Sequence, residues 1–343
     1  MQVEERGKYY FIKNSYFNKL QHDLPVVYIL DSNVVIDIYR LFSTNLKSDE
    51  KNNIKDVILQ LNKKKIDCSY AITELSCDYQ NGGVNKEKAD RIANAVKEIF
   101  KKSDKQLSKY IESDHQNTYY IENEKKEFGQ MSKVIINTLE LLFRSYVPIA
   151  GLFYAIKNIT RDNRINVFQE YLDYLNQNVK GITIYELVIA VFYLFNSDKE
   201  FNSIQGLIKV QNKMEIINKI WNVSWDLAFL RYIDDNSRVI LENKETIKEN
   251  YILVTKDKAL AETAKILDIN EIEKGKDIIP SMVISNKKIK TKYLNDFYNV
   301  YSNIASAEKI ETRMQFFRSL DENGQREHYS KLTDDITNKL RDC

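Results

Sequence analysis

The chain has 343 residues, enough for one large or two ordinary domains, and its 43% hydrophobic and 11% aromatic content excludes a disordered tail. Lys plus Arg number 51 against 49 Asp plus Glu, a formal charge of +2, which excludes a uniformly basic nucleic-acid binder and leaves local patches to supply any such attraction. Three cysteines (Cys68, Cys77, Cys343) and three histidines (His22, His115, His328) fit neither a disulfide framework nor zinc-ligand spacing, so a reducing cytoplasm is the expected location.

In chain order, the first 17 residues carry acids and no apolar core, which predicts no secretory signal. Residues 24–30, LPVVYIL, form a short apolar run rich in β-branched residues, the pattern of a buried parallel strand. Ser32 and Asn33 then open a helix with Val34, Val35, Ile38 and Leu41 at helical spacing. Residues 52–65 predict an amphipathic helix, IDCSYAI (66–72) a second strand, and TELSCDYQ a helix capped by Thr73. Strand, helix and strand in this order predict a βαβ unit in a parallel sheet.

Between residues 86 and 214 the chain becomes long, helix-forming and poor in breakers, as expected of an all-helical insertion. Only 3 Pro and 9 Gly occur in the whole chain, and neither a GxxxxGK[ST] nor a GxGxxG phosphate loop is present. The longest apolar run, Ile182 to Phe195, contains Glu186 and falls short of the roughly 20 residues that cross a bilayer, which predicts a buried helix and no membrane partner. Strand character resumes in residues 215–285, with a helix through WDLAFLRYI, a strand and helix in YILVTKDKAL, and a final strand in IIPSMVISN. Residues 286–343 read as a helical C-terminal extension whose charged end frays.

Two strands end on an acid: Asp31 follows VVYIL and Asp257 follows YILVTK. Open parallel sheets bind ligands at the carboxyl ends of their strands, so these two side chains are expected at one crevice. Glu74, just past the second strand, is placed at the same rim, and Asp226 lies in a helix among Trp225, Leu227, Ala228 and Phe229, where an acid needs a reason. Carboxylates without a Cys or His cluster suit a hard cation such as Mg²⁺, which takes oxygen ligands and keeps several waters. Such an ion lowers the pKa of a bound water and neutralises charge on a transferring phosphoryl group. Asn33 and Thr255 are neutral groups placed to orient the carboxylates. Asp37, six residues beyond Asp31, falls on the far side of its helix and reads as structural. Each acid also has an ordinary reading: Asp31 and Asp257 as helix N-caps, Glu74 as a capping or surface acid, Asp226 as a solvated position.

YILDSNVVID, AITELS, WDLAFLRYI and ILVTKD, in that order, resemble the four-acid signature of PIN-domain nucleases. The resemblance covers residues 24–85 and 215–285 and implies a Rossmann-like three-layer parallel sheet as the fold class, with the large helical insertion and the helical extension outside it. It implies that Asp31, Glu74, Asp226 and Asp257 gather one or two Mg²⁺ or Mn²⁺ ions and that the reaction is hydrolysis of RNA, with DNA as the other substrate. Asp257 lies 31 positions after Asp226, more than the family's usual spacing, which leaves Asp234 or Asp235 as substitutes for the third acid. Family membership also carries an association with toxin–antitoxin and phage-defence roles. On that view the helical insertion is the surface for a second copy or an inhibitory protein.

Lys287, Lys288, Lys290 and Lys292 with Tyr293 offer a segment that could track a phosphate backbone and stack a base; a solvated lysine face is the plainer reading, and the same holds for residues 62–65. Two rival functions use the same residues. One is a nuclease-like scaffold without activity. The other is a haloacid-dehalogenase-type phosphatase, which needs a second acid where this chain has Asn33.

Overall fold

The computed structural model describes residues 1–14, 24–42, 46–78, 83–112, 128–129, 133–181, 183–196, 202–209, 215–242, 249–266, 269–274, 277–282, 293–304 and 306–341. Side chains are described for these except 78, 83, 128–129, 133–141, 184, 202–203, 234–242, 269–274, 277–282, 294 and 322. The chain divides into two compact units, one of residues 1–138 and 232–264 and one of residues 139–231 and 265–343.

The first unit begins with strands β1 (Gln2–Arg6) and β2 (Tyr9–Lys13), joined by a two-residue turn that Gly7 opens at φ 63°. A hairpin turn of this length needs a positive φ, which glycine adopts without a Cβ clash. β3 (Val26–Leu30) leads into α1 (Ser32–Arg40), then α2 (Ser48–Leu61), β4 (Lys65–Asp67) and α3 (Ser69–Ser76). Short strands β5 (Cys77–Asp78) and β6 (Gly83–Asn85) precede α4 (Lys86–Phe100) and α5 (Asp104–Glu112), and β7 (Phe128–Gly129) closes a small antiparallel sheet in the order β5-β6-β7. α6 (Lys133–Ile156), α7 (Arg164–Tyr174), α8 (Ile184–Phe195), α9 (Asn202–Ile208) and α10 (Ile216–Glu242) follow, before β8 (Asn250–Thr255) and α11 (Lys258–Ile266). β9 (Ile269–Lys274), β10 (Asp277–Met282), α12 (Leu294–Ile304), α13 (Ala307–Arg318) and α14 (Glu322–Arg341) complete the chain.

The main sheet has the order β1-β2-β8-β3-β4. β3 runs parallel to both β8 and β4, with Leu30 opposite Val254 and Ile29 opposite Asp67, so the chain is α/β as expected. The sheet is mixed rather than all parallel, because β2 pairs antiparallel with β8 and β1 with β2. The N-terminal hairpin was not foreseen. Its driving force is burial of Tyr9, Phe11 and Ile12, which a two-residue turn can deliver without the crossover that a parallel strand requires.

Three further expectations change. α3 starts at Ser69 instead of after a longer strand, because Asp67 Oδ1 accepts hydrogen bonds from Ser69 N (2.8 Å) and Ser69 Oγ (2.7 Å) and so begins the helix early. Thr73, expected as its cap, lies inside it and donates to Ser69 O. The described part of the IIPSMVISN segment is strand, as expected, but as β10 it pairs antiparallel with β9 in a two-stranded sheet of the second unit. Pro280 lacks the N–H that a central strand must donate, which suits such a hairpin. The expected domain limits at 86, 214 and 286 do not coincide with the units, since α4 packs on α1 and α3, and α5 on α2, through buried Ile92, Val96, Ile99, Leu107 and Ile111.

In the second unit α8 is buried at every described position except the half-buried Tyr193, as its sequence predicts, and Glu186 at its start is fully enclosed. Arg231 meets it with two hydrogen bonds, 2.8 and 2.9 Å, and donates a third to Ser145 Oγ at 2.7 Å. That pairing removes the objection to a charge in an apolar helix. α14 does not fray at Ile336 and Leu340: both are buried, and Thr337 bonds the Tyr146 hydroxyl at 3.0 Å. No helix among the described residues is long and apolar enough to cross a membrane.

Candidate functional site

Asp31 occupies the junction of β3 and α1, with extended backbone at φ −67°, ψ 156°. Its carbonyl accepts the first helical hydrogen bonds, from Val34 N and Val35 N, and its N–H donates to Val254 O on β8 at 3.0 Å. The carboxylate, however, makes no capping bond to the helix. It is 1% exposed and receives the Thr255 hydroxyl (2.6 Å) and the Asn33 amide (3.2 Å) on Oδ2, and the Ser32 hydroxyl (3.3 Å) on Oδ1. A plain N-cap would spend its oxygens on backbone N–H groups. Three side-chain donors aimed at one buried carboxylate instead hold it in a fixed orientation.

Glu74 projects from α3 toward the same place. The residue as a whole is half-buried, but its carboxylate is enclosed and Oε2 has no hydrogen-bond partner. Burial, and next the nearby Asp31 charge, push its carboxyl well above the usual range, against a hydrogen bond from Ser32. Asp31 is also raised, first by burial and in smaller part by Asp257, while Thr255 and Asn33 pull the other way. Ser32 thus serves both acids with one hydroxyl, which can donate to only one oxygen at a time. Sequence reading took Ser32 as part of the turn; that it faces Glu74 follows from where α3 packs.

Asp257 stands past the end of β8, next to Thr255. Its N–H donates to Thr255 Oγ1 (2.9 Å), and its Oδ1 caps α11 by accepting from Leu260 N (2.9 Å). The capping reading of Asp257 is therefore realised, and its second oxygen is left for other contacts. Thr255 is the hinge of the arrangement: its oxygen accepts from the Asp257 backbone and donates its proton to Asp31. Among the described residues, no group of three or more His, Cys, Asp and Glu side chains is arranged to hold a metal ion. The residues that do fit a cation are the buried pair Asp31 and Glu74, an all-oxygen set with one unpartnered carboxylate oxygen. Mg²⁺ is commonly held by one or two carboxylates, with waters and substrate phosphate supplying the rest.

Asp37 belongs to a separate network. It is 3% exposed and accepts from the Tyr9 hydroxyl (2.9 Å) and Lys256 Nζ (2.8 Å), with Arg40 at 3.5 Å. These contacts tie α1 to β2 and to the end of β8, a stitch that sequence could not show because Tyr9 lies in the unforeseen hairpin.

The remaining candidates divide. Asp226 is half-buried on α10 in the second unit, between buried Trp225 and Leu227; the site above is built from the first unit alone. Asp234 and Asp235 lie on α10 outside the residues whose side chains are described. Lys287, Lys288, Lys290 and Lys292 lie outside the described residues. Tyr293 is corrected from a base-stacking residue to a core one: it is 8% exposed, its ring packs 5.3 Å from Phe195, and its hydroxyl donates to Arg161 O. Compared with protein-family models, curated proteins and solved structures, the chain has no significant match in any of the three.

Proposed function

We propose that the chain is a Mg²⁺- or Mn²⁺-dependent nuclease of the PIN type, acting on RNA. The observation that carries the reading is the enclosed, unpartnered Glu74 Oε2 beside the buried Asp31 carboxylate at the carboxyl end of a parallel strand. Two buried acids with raised proton affinity and no cation repel one another, and a divalent ion is the partner that offsets both charges. When bound, the ion would supply Lewis-acid activation of a phosphodiester and of the attacking water.

The chain's own residues do the placing. Asp31 and Glu74 would hold the cation; Thr255 and Asn33 fix the Asp31 carboxylate, and Ser32 links the two acids. Asp257, fixed by its cap on α11, adds negative charge at the rim. Asp226 enters this reading on the sequence resemblance alone. RNA over DNA likewise rests on that resemblance.

The test incubates purified full chain with a mixed RNA pool and Mn²⁺ or Mg²⁺, with EDTA, and as an Asp31→Asn variant. Cleavage by the wild type in metal alone supports the reading. Equal cleavage by all samples means a contaminant, and none in any metal favours the inactive scaffold. That second reading has one observation in its favour: no three acids among the described residues converge as a metal site.

A further inference from the structure

The lysine run 63–65 and the segment KKSDK at 101–105 begin 38 positions apart in sequence, and the fold joins them; Lys65 is paired with Glu249. Asn62, the C-cap of α2, donates to Lys102 O (3.3 Å) and to Asp104 Oδ1 (2.5 Å), so the end of α2 meets the α4–α5 junction. Around that point Lys63, Lys64, Lys101 and Lys105 are all exposed, and none is paired with an acid among the described residues. Of the neighbouring acids, Glu98 is paired with Lys102, while Asp104 accepts from the neutral Asn62 amide and keeps its charge. Lys102 also lies over the Tyr110 ring at 4.7 Å. Lys63 holds the left-handed conformation, φ 62°, just past the helix end, where glycine would sit without strain.

Part of this charge answers two helix C-termini, those of α2 and α4, each worth about half a negative charge. Four ammonium groups without an acid partner among the described residues exceed those two helix ends and the Asp104 carboxylate together. From these placements we infer that this end of the first unit is a binding surface for the phosphate backbone of a nucleic acid. Apolar side chains next to the lysines, Leu61, Ile99 and Leu107, are fully buried, so nothing is offered for insertion into a lipid surface. The patch lies at the amino ends of the parallel strands, because Lys63 and Lys64 precede β4 while Asp31 and Asp257 follow β3 and β8. A strand of five residues separates these ends by about 16 Å. The surface is therefore a second contact, distinct from the acids, and a long polyanion that reaches both must pass around the unit. That the polyanion is RNA rests on the nuclease reading.

The test is fluorescence anisotropy of a labelled 30-nucleotide RNA with the full chain in EDTA, titrated from 50 to 300 mM NaCl. The wild type is compared with Lys63→Ser/Lys64→Ser/Lys101→Ser/Lys105→Ser and with the single variants Lys63→Gln and Lys101→Gln. The quadruple variant is expected to lose about 3 units of the slope of log K against log salt, and each single variant about 0.7. Unchanged slopes overturn the proposal, as does wild-type binding to vesicles of 30% phosphatidylserine with none to RNA. Lysine-dependent binding without cleavage in any metal would sink the nuclease reading and leave this surface standing.

Discussion

The Thr255 hydroxyl, at the end of β8, donates its proton to Asp31 Oδ2 across 2.6 Å, joining the ends of two neighbouring parallel strands at fully buried groups. This bond, rather than a helix cap, sets the direction of the Asp31 carboxylate. Thr255→Val keeps the shape and removes the donor. The expected result is a loss of about 1–3 kcal/mol in urea unfolding, the usual effect of leaving a buried polar group unpaired. Mn²⁺ affinity by calorimetric titration should fall as well, and Thr255→Ser should restore both. A valine variant as stable as wild type would mean that the bond is incidental.

The acid pair makes stability depend on pH in a defined direction. Glu74 and Asp31 have folded-state proton affinities above their ordinary values, 4.5 and 3.8. The folded state thus binds more protons than the unfolded state once pH exceeds those values, and stability contributed by the protonated pair is lost as pH rises through the raised folded pKa values. In EDTA, Glu74→Gln is expected to melt higher than wild type at pH 7.5, with the difference shrinking toward pH 4. A variant that melts lower throughout would contradict a repelling pair.

Metal should offset the same repulsion. At 100 times its dissociation constant, a cation that binds only the folded state adds about 2.7 kcal/mol. Wild type is expected to rise in melting temperature on adding Mg²⁺ or Mn²⁺ at pH 7.5, and Asp31→Asn to show no such rise. Equal shifts in both proteins would place the ion elsewhere.

Asp37 and Lys256 should respond unequally to truncation. Lys256→Met leaves Asp37 bonded to Tyr9 and near Arg40, whereas Asp37→Ala leaves the buried Tyr9 hydroxyl without its acceptor. Lys256 and Arg40 are each about 40% exposed in their side chains and can turn to water. We expect about 1–3 kcal/mol for Asp37→Ala, chiefly from Tyr9, and less for Lys256→Met. Tyr9→Phe measured in both backgrounds tests this, since its effect should vanish once Asp37 is gone.

In the second unit the Glu186–Arg231 pair is enclosed on both sides. Arg231→Met alone is expected to lose about 3–5 kcal/mol because it strands a buried carboxylate, and the double variant with Glu186→Leu should recover much of that loss. Chemical unfolding of the four proteins decides it. A double variant as unstable as the single would show that Arg231 acts through its bond to Ser145 instead.

Local physics was legible wherever one element decides itself. The run VVYIL, the helix opened by Ser32, the enclosed α8 and the helical C-terminal segment all follow from apolar periodicity and local turn chemistry. Asp31 and Asp257 could be found because a strand that ends on an acid is a pattern in the sequence. Where neighbours decide, sequence reading went astray: α3 begins early through an Asp67 side chain, and Tyr293 sinks into an aromatic cluster.

What the sequence alone determined is the α/β character and the strand-end acids, since these depend on residue type and spacing. Only the tertiary structure decided that Glu74 faces Asp31 with an unpartnered oxygen, that Thr255 rather than a cap holds Asp31, and that two distant lysine runs share one end of the sheet. Each is a contact between segments far apart in the chain. Such contacts are set by how the elements pack against one another, which no local period encodes.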